Sequence, residues 1–250
     1  MPDMDRQKQI QYSRHLLLPD VDEAGQSRLL NASVLVIGMG GLGCPVSQYL
    51  CTSGIGQMTL MDDDAVELSN LPRQILFHES DIGRSKVQVA AEKLQQLNPD
   101  CNISSIPQRA AAETLEALTE PFDLILDCTD NLSSRLDINR YAVERNIPLI
   151  IAAAIRLEGQ LAAFQNSGNG PCYQCLFGKR DADNEGELCT EAGVLSTNVG
   201  LMGLQQANLA LKALLGIGEV YHQYWMLDQR QGTQQTMQIM PNPECPVCQG

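Results

Sequence analysis

Residues Ser33 to Gly43 read SVLVIGMGGLG. Five mostly apolar, β-prone residues run directly into a turn whose six residues, Gly38 to Gly43, fit G-x-G-x-x-G. That pattern asks for a strand, a tight turn and a helix in immediate succession. Gly38 permits the turn, Gly40 lets a phosphate approach the backbone, and Gly43 lets the helix pack closely. The helix that follows offers free N–H groups and the positive end of its dipole to an anion. Asp62 ends the next strand-like run, where a carboxylate commonly accepts hydrogen bonds from ribose hydroxyls. Strand, turn, helix and acid together point to a nucleotide, without saying which one.

The rest of the chain keeps the same alternation. Strands are predicted at Ser33–Ile37, Met58–Met61, Asn102–Ile106, Asp123–Asp127 and Pro148–Ala154. Helices are predicted at Leu42–Thr52, Ser85–Leu97, Ala111–Thr119 and Ser133–Arg145. Short apolar runs separated by helices indicate parallel β-α-β units, so residues 33 to about 154 read as a doubly wound α/β sheet. Beyond that the pattern changes. Gln160–Gln165 suits a strand, Gly193–Leu215 a long helix, and Tyr221–Leu227 with Thr233–Met240 an antiparallel pair. A polar stretch between Gly168 and Glu187 reads as a loop. Residues 1–31 read as an amphipathic helical arm anchored by Ile10, Leu16, Leu17 and Leu18.

Cations decide between nucleotides. Asn70, Arg73 and Gln74 follow Asp62 in SNLPRQILF, and Lys86 opens the next helix. A dinucleotide needs no such cluster, whereas a triphosphate whose pyrophosphate leaves develops charge that Arg73 and Lys86 suit. In LILDCTDN, Asp127 and Asp130 fall where the strand should lie beside the glycine strand, and a carboxylate there can hold Mg²⁺. For Asp130, beside Asn131, a metal role is expected. Asp127 is balanced between that role and a strand-end acid accepting backbone N–H groups. A formal charge of -13 argues against nucleic acid as the main partner. The longest apolar runs are too short for a membrane span, and the N-terminus lacks a signal-peptide core. A cytoplasmic protein is expected.

Nine cysteines are many for a reducing compartment. Cys172/Cys175 and Cys245/Cys248 form two C-x-x-C pairs, the arrangement that completes a four-thiolate zinc site. The stretch between the pairs is longer than in a compact zinc ribbon, so a redox pair or reduced core cysteines stand as alternatives. Cys44, Cys51, Cys101 and Cys128 read as small core residues. Cys189 stands alone in LCTEAGV.

The motifs YSRHLLLP, GMGGLG, DDDAVELSNLPRQILF, IGRSK, DCTDN, AAIRLEGQ, CYQC, CTEAGV and CPVC occur in one order along the chain. In that combination the sequence resembles the MoeB/ThiF branch of the E1-like activating enzymes over nearly its whole length. The resemblance implies one adenylation domain spanning 1–250. It would comprise the arm at 1–31, a nucleotide-binding half at 32–155, and a carrier-binding and zinc half at 156–250. It implies ATP and Mg²⁺ as cofactors, structural zinc, and a ubiquitin-like sulfur carrier ending in Gly-Gly as partner. The carrier's carboxylate becomes an acyl-adenylate and pyrophosphate leaves.

Carried across by motif, Gly41 contacts phosphate, Asp62 binds ribose, and Asn70, Arg73, Gln74 and Lys86 surround the phosphates. Asp130 binds Mg²⁺, and Arg14 reaches the ATP of a second subunit, implying a homodimer. A sulfurtransferase or cysteine desulfurase is implied as a further partner. In some members a cysteine in the place of Cys189 forms a covalent link. AAIRLEGQ leans toward the molybdopterin carrier, with the thiamine carrier as alternative. An NAD-dependent oxidoreductase and a non-catalytic binding module are more remote readings. Two departures stand out: Pro72 in SNLPRQ, and LSTNVG where the family has a Pro-containing apolar turn.

Overall fold

The computed structural model describes residues 4–168, 170–178 and 192–248. Its chain opens with three helices, α1 (Arg6–Gln11), α2 (Ser13–Leu16) and α3 (Asp22–Asn31). There follow β1 (Ser33–Ile37), α4 (Gly43–Thr52), β2 (Gln57–Met61), α5 (Lys86–Leu97), β3 (Asn102–Ile106), α6 (Ala112–Glu116), β4 (Leu124–Asp127), α7 (Leu132–Arg145) and β5 (Leu149–Ile155). Then come β6 (Glu158–Phe164), α8 (Tyr173–Phe177), α9 (Ser196–Leu215), β7 (Gln223–Asp228) and β8 (Thr233–Gln238).

Among the described residues the strands form one sheet of order β3-β2-β1-β4-β5-β6-β7-β8. β1 to β5 are parallel, and β6, β7 and β8 each join antiparallel. The order reverses between β1 and β4, so their carboxyl ends, with Ile37 opposite Asp127, open a crevice. The expected doubly wound sheet with an antiparallel extension is what the chain builds.

Alternation along β1 explains the three layers. Val34 and Val36 enter a core shared with α4, α5 and α9, while Leu35 and Ile37 enter another shared with α6 and α7. A strand buried on both faces has no polar side, which is why SVLVI is continuously apolar.

Two expectations are corrected. Ile10, Leu17 and Leu18 do not anchor the arm: they are 68%, 72% and 50% exposed. The buried apolar side chains among the described residues there are Met4, Tyr12, Val21 and Leu29. Tyr12 accepts a hydrogen bond from Asn98 at 3.1 Å, and His15 pairs with the buried Gln26 at 2.9 Å, so polar contacts seat the arm. The polar stretch after Gly168 is also not wholly loop. Cys172 stands at the N-cap of α8, whose turn brings Cys175 back beneath it. No described helix is long and apolar enough to cross a membrane.

Candidate functional site at the sheet switch point

The glycine turn at the end of β1 is built by close approach. Gly38 has φ +91°, and a Cβ there would lie 2.8 Å from the Cys128 carbonyl oxygen after β4. A Cβ on Gly43 would lie 1.9 Å from the Gly38 oxygen, which fixes the helix start against the turn. Both glycines meet backbone that no side-chain rotation can move.

Arg73 and Gln74 flank the same turn. A Cβ on Gly41 would meet the Arg73 carbonyl at 3.3 Å and its Cγ at 3.4 Å, and one on Gly40 would lie 3.7 Å from Gln74 Nε2. Gln74 is 3% exposed, and its Oε1 has no hydrogen-bond partner among the described residues. A buried, unsatisfied acceptor beside a phosphate-type loop fits a donor brought by a ligand. The Arg73 guanidinium donates to the Ser69 carbonyl at 2.9 Å. Asn70 accepts the Glu67 N–H at 3.2 Å and so closes the 3-10 turn Leu68–Asn70 that presents Arg73.

Asp62 reaches back into the loop, where its Oδ2 accepts the Met39 N–H at 2.6 Å and its Oδ1 accepts that of Asp64 at 2.8 Å. Burial raises its pKa, opposed by the charge of Lys86 and by these bonds. Lys86 opens α5 and is 5% exposed, with Nζ 2.7 Å from Asp64 Oδ2. Carboxylate oxygens of Asp62, Asp63 and Asp64 lie within 4.8 Å of one another. Around the glycine turn and the end of β2 thus stand a buried ammonium, a guanidinium and a short acidic run.

Across the crevice, Asp127 is fully buried, and its Oδ1 accepts the N–H and hydroxyl of Thr129 at 2.9 and 2.7 Å. It accepts backbone N–H as a strand-end acid does, while its buried Oδ2 has no hydrogen-bond partner among the described residues. Asp130 is exposed, three residues past β4, and is not part of the acidic group at Asp62–Asp64. Asn131 caps α7 by accepting the Ser134 N–H at 2.9 Å and also accepts from Arg109 at 3.2 Å. Arg14 is exposed on α2, which packs on α3. Cys189 lies outside the described residues.

The two cysteine pairs, far apart in sequence, meet. Cys172 and Cys245 Sγ are 3.7 Å apart, Cys175 and Cys248 3.3 Å, and all four sulfurs lie within 4.8 Å of one another. A tetrahedron of sulfurs about 2.3 Å from zinc has edges of about 3.8 Å. The Asn242 N–H and the Asn139 side chain point at Cys175 and Cys172, at 3.4 and 3.6 Å, as they would toward thiolates. Burial pushes the Cys172 thiol up to about 11. For Cys245 burial acts upward too, but N–H groups of Cys248 and Val247 and the neighbouring thiols hold it down to about 7.

With that geometry in place, one family model matches residues 12–247, that of the ThiF family. The chain belongs to the ThiF family. It is 41% identical to a sulfur carrier protein ThiS adenylyltransferase of Escherichia coli, over 96% of this chain and 95% of that protein. It is 39% identical to a molybdopterin-synthase adenylyltransferase of Salmonella typhimurium, over 99% of both. The crystal structure of E. coli MccB with ATP superposes with a TM-score of 0.79 at 25% identity, covering 90% of this chain and 69% of that one.

Within this family member the sequence reading missed Arg135. Its guanidinium donates to the carbonyls of Thr129 and Ala152 at 2.6 and 3.0 Å, and it lines a shallow cleft with Tyr173, Phe177 and Tyr224. An arginine at the fourth position of a helix looks like any surface charge. Only the folded sheet shows that it faces strand ends.

Proposed function

We propose that this protein is an ATP-dependent adenylyltransferase for the C-terminal carboxylate of a ubiquitin-like sulfur-carrier protein. The carrying observation is the convergence of Arg73, Gln74 and the buried Lys86 on the glycine turn at the β1/β4 crevice. The adenylyltransferase names of two relatives matched over nearly their full length support it, as does the ATP held by MccB.

In the reaction a carrier carboxylate oxygen bonds to the α-phosphorus and the bond to the leaving pyrophosphate breaks. The products are an acyl-adenylate and pyrophosphate. A carboxylate is ionised at neutral pH, so no general base is needed. The chain's task is to align two anions and offset their charge. The turn's N–H groups and the start of α4 cradle phosphate. Asp64 is 65% exposed, so it can return to solvent as phosphate oxygens take over Lys86. Arg73 faces the charge that grows on the leaving pyrophosphate, and Asp62 holds the loop while accepting from ribose. Mg²⁺, when bound, would neutralise phosphate charge, with Asp130 as its protein ligand.

The four cysteines would hold zinc in a closed site, which leaves no position for catalysis and fastens the C-terminal segment instead. Residues 32–155 act as the nucleotide half and 156–250 as the carrier and zinc half of one adenylation domain. Exposed Ile10, Leu17 and Leu18 beside Arg14 support a homodimer in which the arm meets the second subunit. The molybdopterin-synthase carrier is the first choice, and the thiamine-pathway carrier the second, each with a close relative. Carrier-dependent exchange of labelled pyrophosphate into ATP, with mass spectrometry of the carrier's C-terminus, tests the assignment. Exchange with one carrier and loss of it in Asp130→Ala are expected. No exchange with either carrier would end it.

A further inference from the structure

The acid expected to hold Mg²⁺, Asp130, is exposed, yet the backbone that leads to it is held from both faces of the sheet. From the α9 side comes Gln206, which is 0% exposed. Its Nε2 donates to the carbonyls of Asp127 at 2.9 Å and Ile150 at 3.0 Å, and its Oε1 accepts the Cys128 thiol at 3.3 Å. From the α7 side, Arg135 donates to the carbonyls of Thr129 and Ala152. The two helices belong to opposite layers: Met202, Ala207 and Ala210 of α9 pack in one core, Ile138 and Ala142 of α7 in the other. Each clamp therefore bridges the end of β4 to β5, at alternate residues and from opposite sides. The Asp127 carboxylate closes the loop on Thr129.

The peptide lying between these two held carbonyls is the one against which the glycine turn rests. The Cys128 carbonyl oxygen and the Thr129 nitrogen lie 2.8 and 3.1 Å from where a Gly38 Cβ would stand. A shift of Asp127–Thr129 would move both walls of the crevice together.

We infer that Gln206 is a positioning residue for nucleotide and metal binding: by tying the β4 and β5 carbonyls from within the core, it sets the path of Cys128 to Asp130 against the glycine turn. With no exposed surface it cannot touch substrate, so its effect must pass through that backbone. The inference rests on the adenylation reading for its kinetic consequence and on the hydrogen-bond geometry for its cause.

The test is Gln206→Met, which keeps the side chain's length and removes its donors. In pyrophosphate exchange, kcat should fall about 10- to 100-fold, as misplacement of a reacting group costs. The Mg²⁺ concentration for half-maximal exchange should rise about tenfold, as when a ligand's supporting shell is lost. The carrier KM should stay unchanged. A variant that loses activity only in proportion to its unfolded fraction, with an unaltered Mg²⁺ requirement, overturns the inference while the adenylation reading stands.

Should the methionine variant not fold, Gln206→Glu decides. Burial raises a carboxyl pKa, so this glutamic acid stays protonated and donates near about pH 6, then ionises toward about pH 9. Its rate relative to wild type should fall across that range, and a flat ratio overturns the proposal. If the wild-type protein shows no exchange with either carrier, the adenylation reading fails. Calorimetry of Mg²⁺ and ATP binding then still judges Gln206: about tenfold weaker binding in the variant upholds it, and equal binding overturns it.

Discussion

The middle of the sheet and its antiparallel edge are held by different means. In the middle, β1 and β4 are buried on both faces, and the crevice is locked by backbone contacts such as Gly43 on Gly38. At the antiparallel end every residue of β8 is exposed, and the last described residues turn back to bring Cys245 and Cys248 onto Cys172 and Cys175. The middle is held because apolar area on two faces is removed from water. The antiparallel edge lacks that area, and there the four cysteines meet, where zinc is proposed to fasten them. The proposed nucleotide site sits where the core supplies support, and the cysteine group where the core runs out.

The sharpest division between the two regions should appear in chemistry. Arg73→Ala or Lys86→Met should lower pyrophosphate exchange about 10²- to 10³-fold, the scale of losing one charge-stabilising donor. Melting temperature should barely change, since Asp64 is left solvated. Mutants that lose exchange only by unfolding would show that the crevice is structural.

Chelation probes the antiparallel edge. Removal of the proposed zinc should raise amide hydrogen exchange in Tyr173–Phe177, Thr233–Gln238 and the segment from Asn242 to Cys248. Ser33–Ile37 and Leu124–Asp127 should keep their protection. Equal loosening of both regions would break the comparison.

Glycine substitutions sharpen it further. In Gly43→Ala the added methyl group would stand 1.9 Å from the Gly38 carbonyl oxygen. That substitution should destabilise by about 3 kcal/mol, the cost of forced overpacking. Gly216, which ends α9, has φ +69° and, among the described residues, nothing within 4 Å of an added Cβ. In Gly216→Ala only left-handed strain of about 1 kcal/mol therefore remains. Denaturant midpoints measure both.

The smallest effect is a pH dependence. Burial works to raise the Asp81 pKa, but the Lys93 ammonium and the His78 N–H outweigh it and hold the carboxyl below its ordinary 3.8. A depressed folded pKa means stability that is present above 3.8 and lost as pH falls through the lower folded value. In Asp81→Asn, acid unfolding below pH 3.8 should be shallower than in the wild type. Identical acid slopes would remove Asp81 from the account.

Much of this was legible in the linear chain. Turn chemistry and apolar runs are local, so SVLVIGMGGLG announced β1, its turn and α4, and alternating elements announced the parallel sheet. Arg73, Gln74 and Lys86 could be singled out because they follow Asp62 within one connection. The arm misled, because Ile10, Leu17 and Leu18 are apolar yet face outward, and periodicity does not say which face has a neighbour. The C-x-x-C pairs were readable as pairs, while their meeting across the whole of α9 and the last two strands was settled by the sheet that carries both ends.

What the sequence alone determined is the set of local commitments: where strands stop, where glycine must stand, which side chains can carry charge or bind a soft metal. Only the tertiary structure decided that Gln206 and Arg135, each an ordinary polar residue on a helix, grip the same two strands from opposite sides. The physical reason is that a hydrogen bond to a strand-end carbonyl depends on layer, register and twist together. None of these is a property of neighbouring residues in the chain.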